Sequence, residues 1–153
     1  MLQKIINWIL RREKKAERAV RDWIDSIESE ATEEFLKLLL NAMKFFFIIK
    51  SDYRKNIKEF SGRYLFRSRD GKITVSAIFK NGKMDVLERV IEDPDVTVNF
   101  RDAKALRNYI LSPKPDILGS LLRQDVVPDG NLNYLYKFAF MAKRLQLMAT
   151  GKI

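Results

Sequence analysis

The chain has 153 residues, with 29 Lys and Arg against 20 Asp and Glu, no His, no Cys and 46% hydrophobic residues. Without imidazole or thiolate there is no Ser-His-Asp or Cys-His nucleophile, no zinc site of the usual ligands and no ordinary haem or iron–sulfur ligation, which removes most familiar hydrolase and redox chemistry. The length suits one domain with at most an added arm, and the formal charge of +9 favours anionic partners, nucleic acid or acidic lipid headgroups.

Ten Phe, five Tyr and two Trp supply material for a core. No disulfide framework is available, so a cytosolic address is the default. The apolar run from Ile5 to Leu10 is interrupted by Asn7 and ends at Arg11 and Arg12. It is too short and polar to span a membrane, and no small-residue cleavage site follows as a signal peptide would need.

At about 100° per residue, Leu2, Ile5, Ile6, Ile9, Ala16, Val20, Trp23 and Ile27 fall on one side of a helix, broken only by Glu13. Lys4, Asn7, Arg11, Lys14, Lys15, Arg18 and Arg21 fall on the other. This predicts an amphipathic helical arm over residues 1–30. Its basic face, Lys4, Arg11, Lys14, Lys15, Arg18 and Arg21, suits an anionic membrane surface or a partner helix. The plain alternative is an arm whose apolar side packs on the rest of the domain.

Asp25, Glu28, Glu30, Glu33 and Glu34 form an acidic stretch that favours a helix start. From Phe35 to Lys50 the polar residues keep to one narrow stripe, Lys37, Asn41 and Lys44. That helix should be covered on most sides. Its end, Phe45 to Ile49, is the greasiest part of the chain and reads as core, or as the wall of a cavity for an apolar ligand.

The pattern changes after Ser51, and between Phe60 and Phe100 the period becomes two. Tyr64 and Phe66 alternate with Arg63, Arg67 and Arg69, while Ile73, Val75, Ala77 and Phe79 alternate with Thr74, Ser76 and Lys80. These are strands with one covered face. Asp70-Gly71 and Asn81-Gly82 suit tight hairpin turns whose central residues have φ > 0. A third strand is predicted over about Lys83 to Arg89, and a fourth at Val96, Val98 and Phe100 after the turn Asp93-Pro94-Asp95. Asp102 should cap a helix through Ile110, Ser112-Pro113 should open a short helical segment around Ile117 to Leu122, and Asn131 should cap a last helix to about Met148. Between them, Asp125 to Val127 reads as a short extended piece before Pro128-Asp129-Gly130. The order is that of an α+β layer protein whose sheet is roofed by helices.

Catalytic constellations are sparse. There is no GxGxxG, P-loop or HExxH, and Asp93 and Asp95 sit in a Pro-centred turn where a structural role is expected. A non-enzymatic protein without metal or cofactor is the reading. Strand alternation sends Tyr64 and Phe66 inward and Arg63, Arg67 and Arg69 outward, which separates stacking rings from cations and counts against RNA binding. In the last helix Asn133, Lys137 and Arg144 form the only polar stripe, shared with Phe140, while Leu135, Phe138, Ala139, Met141, Ala142, Leu145 and Met148 cover the rest. Two helices this apolar suggest a cavity, a hydrophobic groove or a dimer interface.

The run Asp93-Pro94-Asp95-Val96-Thr97-Val98-Asn99-Phe100-Arg101-Asp102, the helix with Ala105, Leu106 and Ile110, the stretch Pro113 to Leu122, and Val126-Val127-Pro128-Asp129-Gly130-Asn131 before a final apolar helix resemble the sterol carrier protein type 2 family. The resemblance covers about residues 35–148. It departs from the family at Asp129-Gly130-Asn131, where Gly-Asp is the pattern, and in the extra N-terminal helix. It implies a five-stranded, mostly antiparallel sheet covered on one face by helices, within a domain of residues 31–150. It also implies a carrier that holds a fatty acyl chain, a sterol or an isoprenoid between sheet and helices. Carried onto this chain, the expected lining is Phe66, Val75, Ala77, Phe79 and Phe100 from the sheet, with Leu118, Leu122, Phe138, Met141 and Leu145 from the helices. Bacterial members include accessory factors of quinone biosynthesis. The partner the resemblance implies is a lipid or other apolar small molecule; the arm, which the family pattern lacks, adds by itself an anionic membrane approached from the cytoplasm or a second copy of the chain.

Overall fold

The structure, a computed structural model, describes residues 2–8, 11, 12, 14, 15, 18, 34–111, 119 and 122–149. Residues 2–8 are helical, as are Arg11, Arg12, Lys14, Lys15 and Arg18, and each of these is exposed. Exposure extends to the apolar side chains Leu2, Ile5, Ile6 and Trp8. The arm therefore begins as the helix its periodicity predicts, with its described residues unburied on both faces. Arg21 lies outside the described residues.

Helix α1, Phe35–Ile49, is followed by one turn of helix, α2, Ser51–Arg54, and a 3-10 turn, Lys55–Ile57. Leu36, Leu39, Leu40, Met43, Phe46 and Phe47 are buried. Their spacing of three and four makes one side of α1 a continuous apolar stripe, as the burial of a helix against a sheet requires. The exposed side is broader than the polar stripe predicted, because Leu38, Phe45 and Ile48 share it with Asn41. At the end of α1 the Arg54 guanidinium donates to the carbonyls of Phe47 and Ile48 at 3.1 and 2.9 Å. Those carbonyls have lost their helical partners, so the cation completes the helix end.

Strands β1 (Gly62–Ser68), β2 (Thr74–Lys80), β3 (Lys83–Leu87), β4 (Val96–Phe100) and β5 (Val126–Gly130) form a sheet in the order β3-β2-β1-β4-β5. Only β1 and β4 run parallel. At Asn81-Gly82 both residues have positive φ, as the tight turn demands. The Asp70-Gly71 turn differs from expectation: only Gly71 has positive φ. There the Asp70 carboxylate accepts from the Ser68 hydroxyl and the Lys72 amide, at 2.5 and 3.0 Å, and holds a longer loop.

Helices α3, Ala103–Leu111, and α4, Leu132–Ala149, complete the layer with α1. The predicted caps form: the Ala105 amide donates to Asp102 Oδ1 at 2.9 Å and the Asn133 amide to Asn131 Oδ1 at 3.0 Å. Strand β5 runs on through Pro128, beyond the extended piece predicted. It is an edge strand, where a sheet tolerates proline.

The sheet has two differently covered faces. Tyr64, Phe66, Val75, Ala77, Phe79, Val96, Val98, Phe100 and Val126 point into the helical side and are buried there. The other face was predicted to be uncovered, yet Leu65, Ser76 and Thr97 are buried on it as well. The cause is topological. Because β4 pairs on the far side of β1, the chain between β3 and β4 has to cross the sheet, and residues 88–95 lie over its middle. Ser76 Oγ donates to the Arg89 carbonyl at 2.5 Å, the Arg63 guanidinium to the Glu92 carbonyl at 2.7 Å, and Ile91 is buried. The same need to cross ends β3 at Leu87, short of the predicted Arg89.

Candidate functional site

Eight of the expected lining residues come together. Phe66, Val75, Ala77, Phe79 and Phe100 from the sheet, with Phe138, Met141 and Leu145 from α4, are each no more than 2% exposed and belong to one continuous apolar interior. Period two on the strands and a stripe at three and four on α4 aim them at one another. The Phe66 and Phe138 rings lie 4.9 Å apart, and Tyr64 joins them at 6.1 and 5.6 Å. These rings pack in direct contact.

Two expected residues fall elsewhere. Leu122 sits in the connection from α3 to β5 and is 75% exposed, away from this interior. The apolar count of its segment suggested a covered helix, but the Leu122 side chain itself faces solvent. Leu118 lies outside the described residues.

Two tyrosine hydroxyls enter the interior and are satisfied there. Tyr53 donates to the Met141 carbonyl at 2.8 Å and Tyr64 to the Tyr134 carbonyl at 2.7 Å. Burial pushes both hydroxyls well above their ordinary pKa, since a phenolate would be stripped of water. They serve as uncharged struts from the α2 turn and from β1 to α4.

The interior meets the surface at one edge of the α1–sheet contact, in a recess of about 360 Å³. Phe47, Ile48 and Met84 form its apolar part, and Lys44, Arg54, Lys83 and Asp85 stand around it. Its size reaches the lower range of small-molecule sites, about 300–1,000 Å³. Phe47 and Met84 belong to both recess and core. The Phe47 ring stacks on Tyr53 at 4.3 Å and meets Phe79 edge-on at 6.1 Å. The Phe45 to Ile49 run carried the sequence signal for this wall. Nothing in the sequence placed Met84 and the β2–β3 turn opposite it.

Two acidic groups, Asp95 and Asp125, serve the fold. Asp95 Oδ2 accepts from the Arg63 amide at 2.8 Å, tying the turn before β4 to the start of β1. Asp125 accepts from Arg101 at 2.6 Å and from Arg123 at 2.9 Å. Among the described residues no cluster of three His, Cys, Asp or Glu could hold a metal ion. Nor is any described helix long and apolar enough to cross a membrane.

No family model matches the chain, and no curated protein matches it by sequence. Solved structures do match. The chain superposes on one described as "UbiJ-SCP2 Ubiquinone synthesis protein" with a TM-score of 0.55 at 15% identity, covering 73% of this chain and 88% of that one. The sterol carrier protein domain 2 of Helicoverpa armigera gives 0.49 at 20% identity, covering 81% and 93%. A double mutant of the sec-alkyl sulfatase PisA1 gives 0.50 at 17% identity, covering 63% of this chain but 15% of that one. The superposition on the ubiquinone synthesis protein takes in most of both chains, and the present chain has the sterol carrier protein 2 fold.

Proposed function

We propose that the chain is a non-enzymatic lipid-binding carrier. Residues 31–150 hold an apolar chain between the sheet and the helices, and residues 1–30 form an arm that approaches anionic membrane through Lys4, Arg11, Lys14, Lys15, Arg18 and Arg21. Phe66, Val75, Ala77, Phe79, Phe100, Phe138, Met141 and Leu145 are the proposed lining. The observation that carries this reading is the recess beside α1, because Phe47 and Met84 belong both to it and to the core. An apolar chain seated against Ile48 meets the Phe47 ring before Phe79 and the interior. Burial of its surface contributes about 25 cal/mol per Å², and each basic residue of the arm contributes about 1 kcal/mol near an anionic bilayer.

The likeness to a structure described as a ubiquinone synthesis protein supports an isoprenoid or quinone precursor among the ligands. The cytoplasmic face of a membrane is the proposed place of action. A second reading, a module that dimerises through its helices, is favoured by the exposed Leu2, Ile5, Ile6 and Trp8 of the arm and the exposed Leu38, Phe45 and Ile48 of α1.

Native mass spectrometry of protein purified from cells, followed by organic extraction, tests the choice. A co-purifying lipid or polyprenyl compound is the expected result. A chain that carries nothing, and takes up no labelled fatty acid or polyprenol from vesicles, overturns the carrier reading. A dimer mass that disappears on deleting residues 1–27 would establish the second.

A further inference from the structure

The outer face of the sheet is covered over its middle by residues 88–95, but towards one end Arg67, Arg69 and Val127 are exposed. Strand register puts Thr74, Arg67, Asn99 and Val127 in a row across β2, β1, β4 and β5. At about 4.8 Å per strand the row spans about 14 Å. A second row lies beyond it. The Arg69 amide donates to the Phe100 carbonyl and the Arg101 amide to the Asp125 carbonyl, both at 2.9 Å, so Arg69, Arg101 and Asp125 stand side by side.

Arg67 and Arg69 are exposed and form no ion pair among the described residues. Beside them Arg101 reaches Asp125 at 2.6 Å and Asp102 at 3.4 Å, and Arg123 reaches Asp125 at 2.9 Å, so these two cations are partnered. Leu122, the most exposed large apolar side chain among the described residues, precedes Arg123. Exposed arginines on a sheet end, with an exposed leucine one residue before Arg123, have the chemistry of a surface that meets phosphates and then acyl chains. An RNA surface would want rings beside its cations for base stacking. Neither row contains one, since Tyr64 and Phe66 point to the other face and are buried.

We infer that this end of the outer sheet face, Arg67 and Arg69 with Arg101, Arg123 and Leu122, is a docking surface for the phosphate-bearing headgroups of an anionic bilayer. It uses none of the residues of the basic arm or of the interior, so it stands on its own observations whether or not the interior holds a lipid.

The test uses the full chain and vesicles of equal parts phosphatidylcholine and phosphatidylglycerol. Each arginine at such a surface contributes about fivefold in affinity. The double variant Arg67→Gln, Arg69→Gln should therefore partition about 25-fold more weakly, with its melting temperature unchanged. Arg67→Lys with Arg69→Lys should restore binding, and wild-type binding should fall as salt rises. Leu122→Ser should weaken binding without changing its salt dependence. Unchanged partitioning of the glutamine variant overturns the proposal, because the arm then accounts for the attachment. So does equal wild-type binding to pure phosphatidylcholine vesicles. Single-stranded RNA binding that the glutamine variant loses, with vesicle binding intact, would also overturn it and assign the face to nucleic acid.

Discussion

The Tyr53 hydroxyl, in the single turn after α1, donates to the Met141 carbonyl of α4 across 88 positions of sequence at 2.8 Å. Its ring is stacked on Phe47, so one side chain joins the wall of the recess to the helix that closes the interior. Tyr53→Phe keeps the ring and removes only that bond. It should cost about 1 kcal/mol of unfolding free energy, or about 3 °C in Tm for a chain of this size, measured by urea and thermal denaturation.

Gly130 closes β5 with φ of +117°, and a Cβ built there would lie 2.5 Å from the Asp95 carbonyl oxygen. That carbonyl already accepts from the Asn131 amide, so it is not free to move aside. Gly130→Ala should destabilise the fold by about 2–3 kcal/mol through strain and displacement of the β4–β5 pairing. Gly71→Ala, where φ is +76° but nothing stands near the added carbon, should cost about 1 kcal/mol. Parallel denaturant titrations of the two variants check the difference.

Ile48 is 64% exposed, yet it forms part of the recess. Ile48→Glu should leave stability within about 0.5 kcal/mol of wild type. It should also sharply reduce uptake of a fluorescent fatty acid, because a carboxylate then stands where the apolar chain would lie. Phe138→Ala does the reverse to stability. Removing a fully buried ring that packs on Phe66 and Tyr64 should cost about 3–5 kcal/mol.

The pH dependence should have two unequal limbs. Tyr53 and Tyr64 keep their protons in the folded chain to higher pH than in the unfolded chain, because burial disfavours the phenolate. The folded state then binds more protons at alkaline pH, and stability held below about pH 10 falls above it. The double variant Tyr53→Phe, Tyr64→Phe should flatten that limb. Asp70 has the opposite sign: hydrogen bonds from Ser68 and the Lys72 amide hold its carboxyl below the ordinary aspartate value. Its contribution is present at neutral pH and lost as pH falls below that ordinary value. The limb should be shallow, since the group is exposed to solvent, and absent in Asp70→Asn. Urea midpoints across pH read both limbs.

Much of this fold is written locally. The switch from a period of three and four to a period of two after Ser51, Asn81-Gly82 at a turn, and Asp102 and Asn131 as caps are all consequences of backbone geometry within a few residues. The inward set from Tyr64 to Phe100 follows from alternation alone, which is why the five expected sheet residues meet in one interior with the three that the stripe of α4 brings to it. Leu122 was not legible, because apolar character states what a side chain prefers and not whether its connection reaches the core.

What the sequence determined by itself was the type and order of the main helices and strands, the inward face of each and the absence of imidazole and thiolate chemistry, because these depend on residue type and short-range period. Tertiary structure alone decided the order β3-β2-β1-β4-β5, the cover of residues 88–95 over Ser76 and Leu65, the recess between Phe47 and Met84, and the open arginine rows beyond that cover. Each of these depends on which strands become neighbours, and pairing between segments dozens of residues apart leaves no periodic trace in either one.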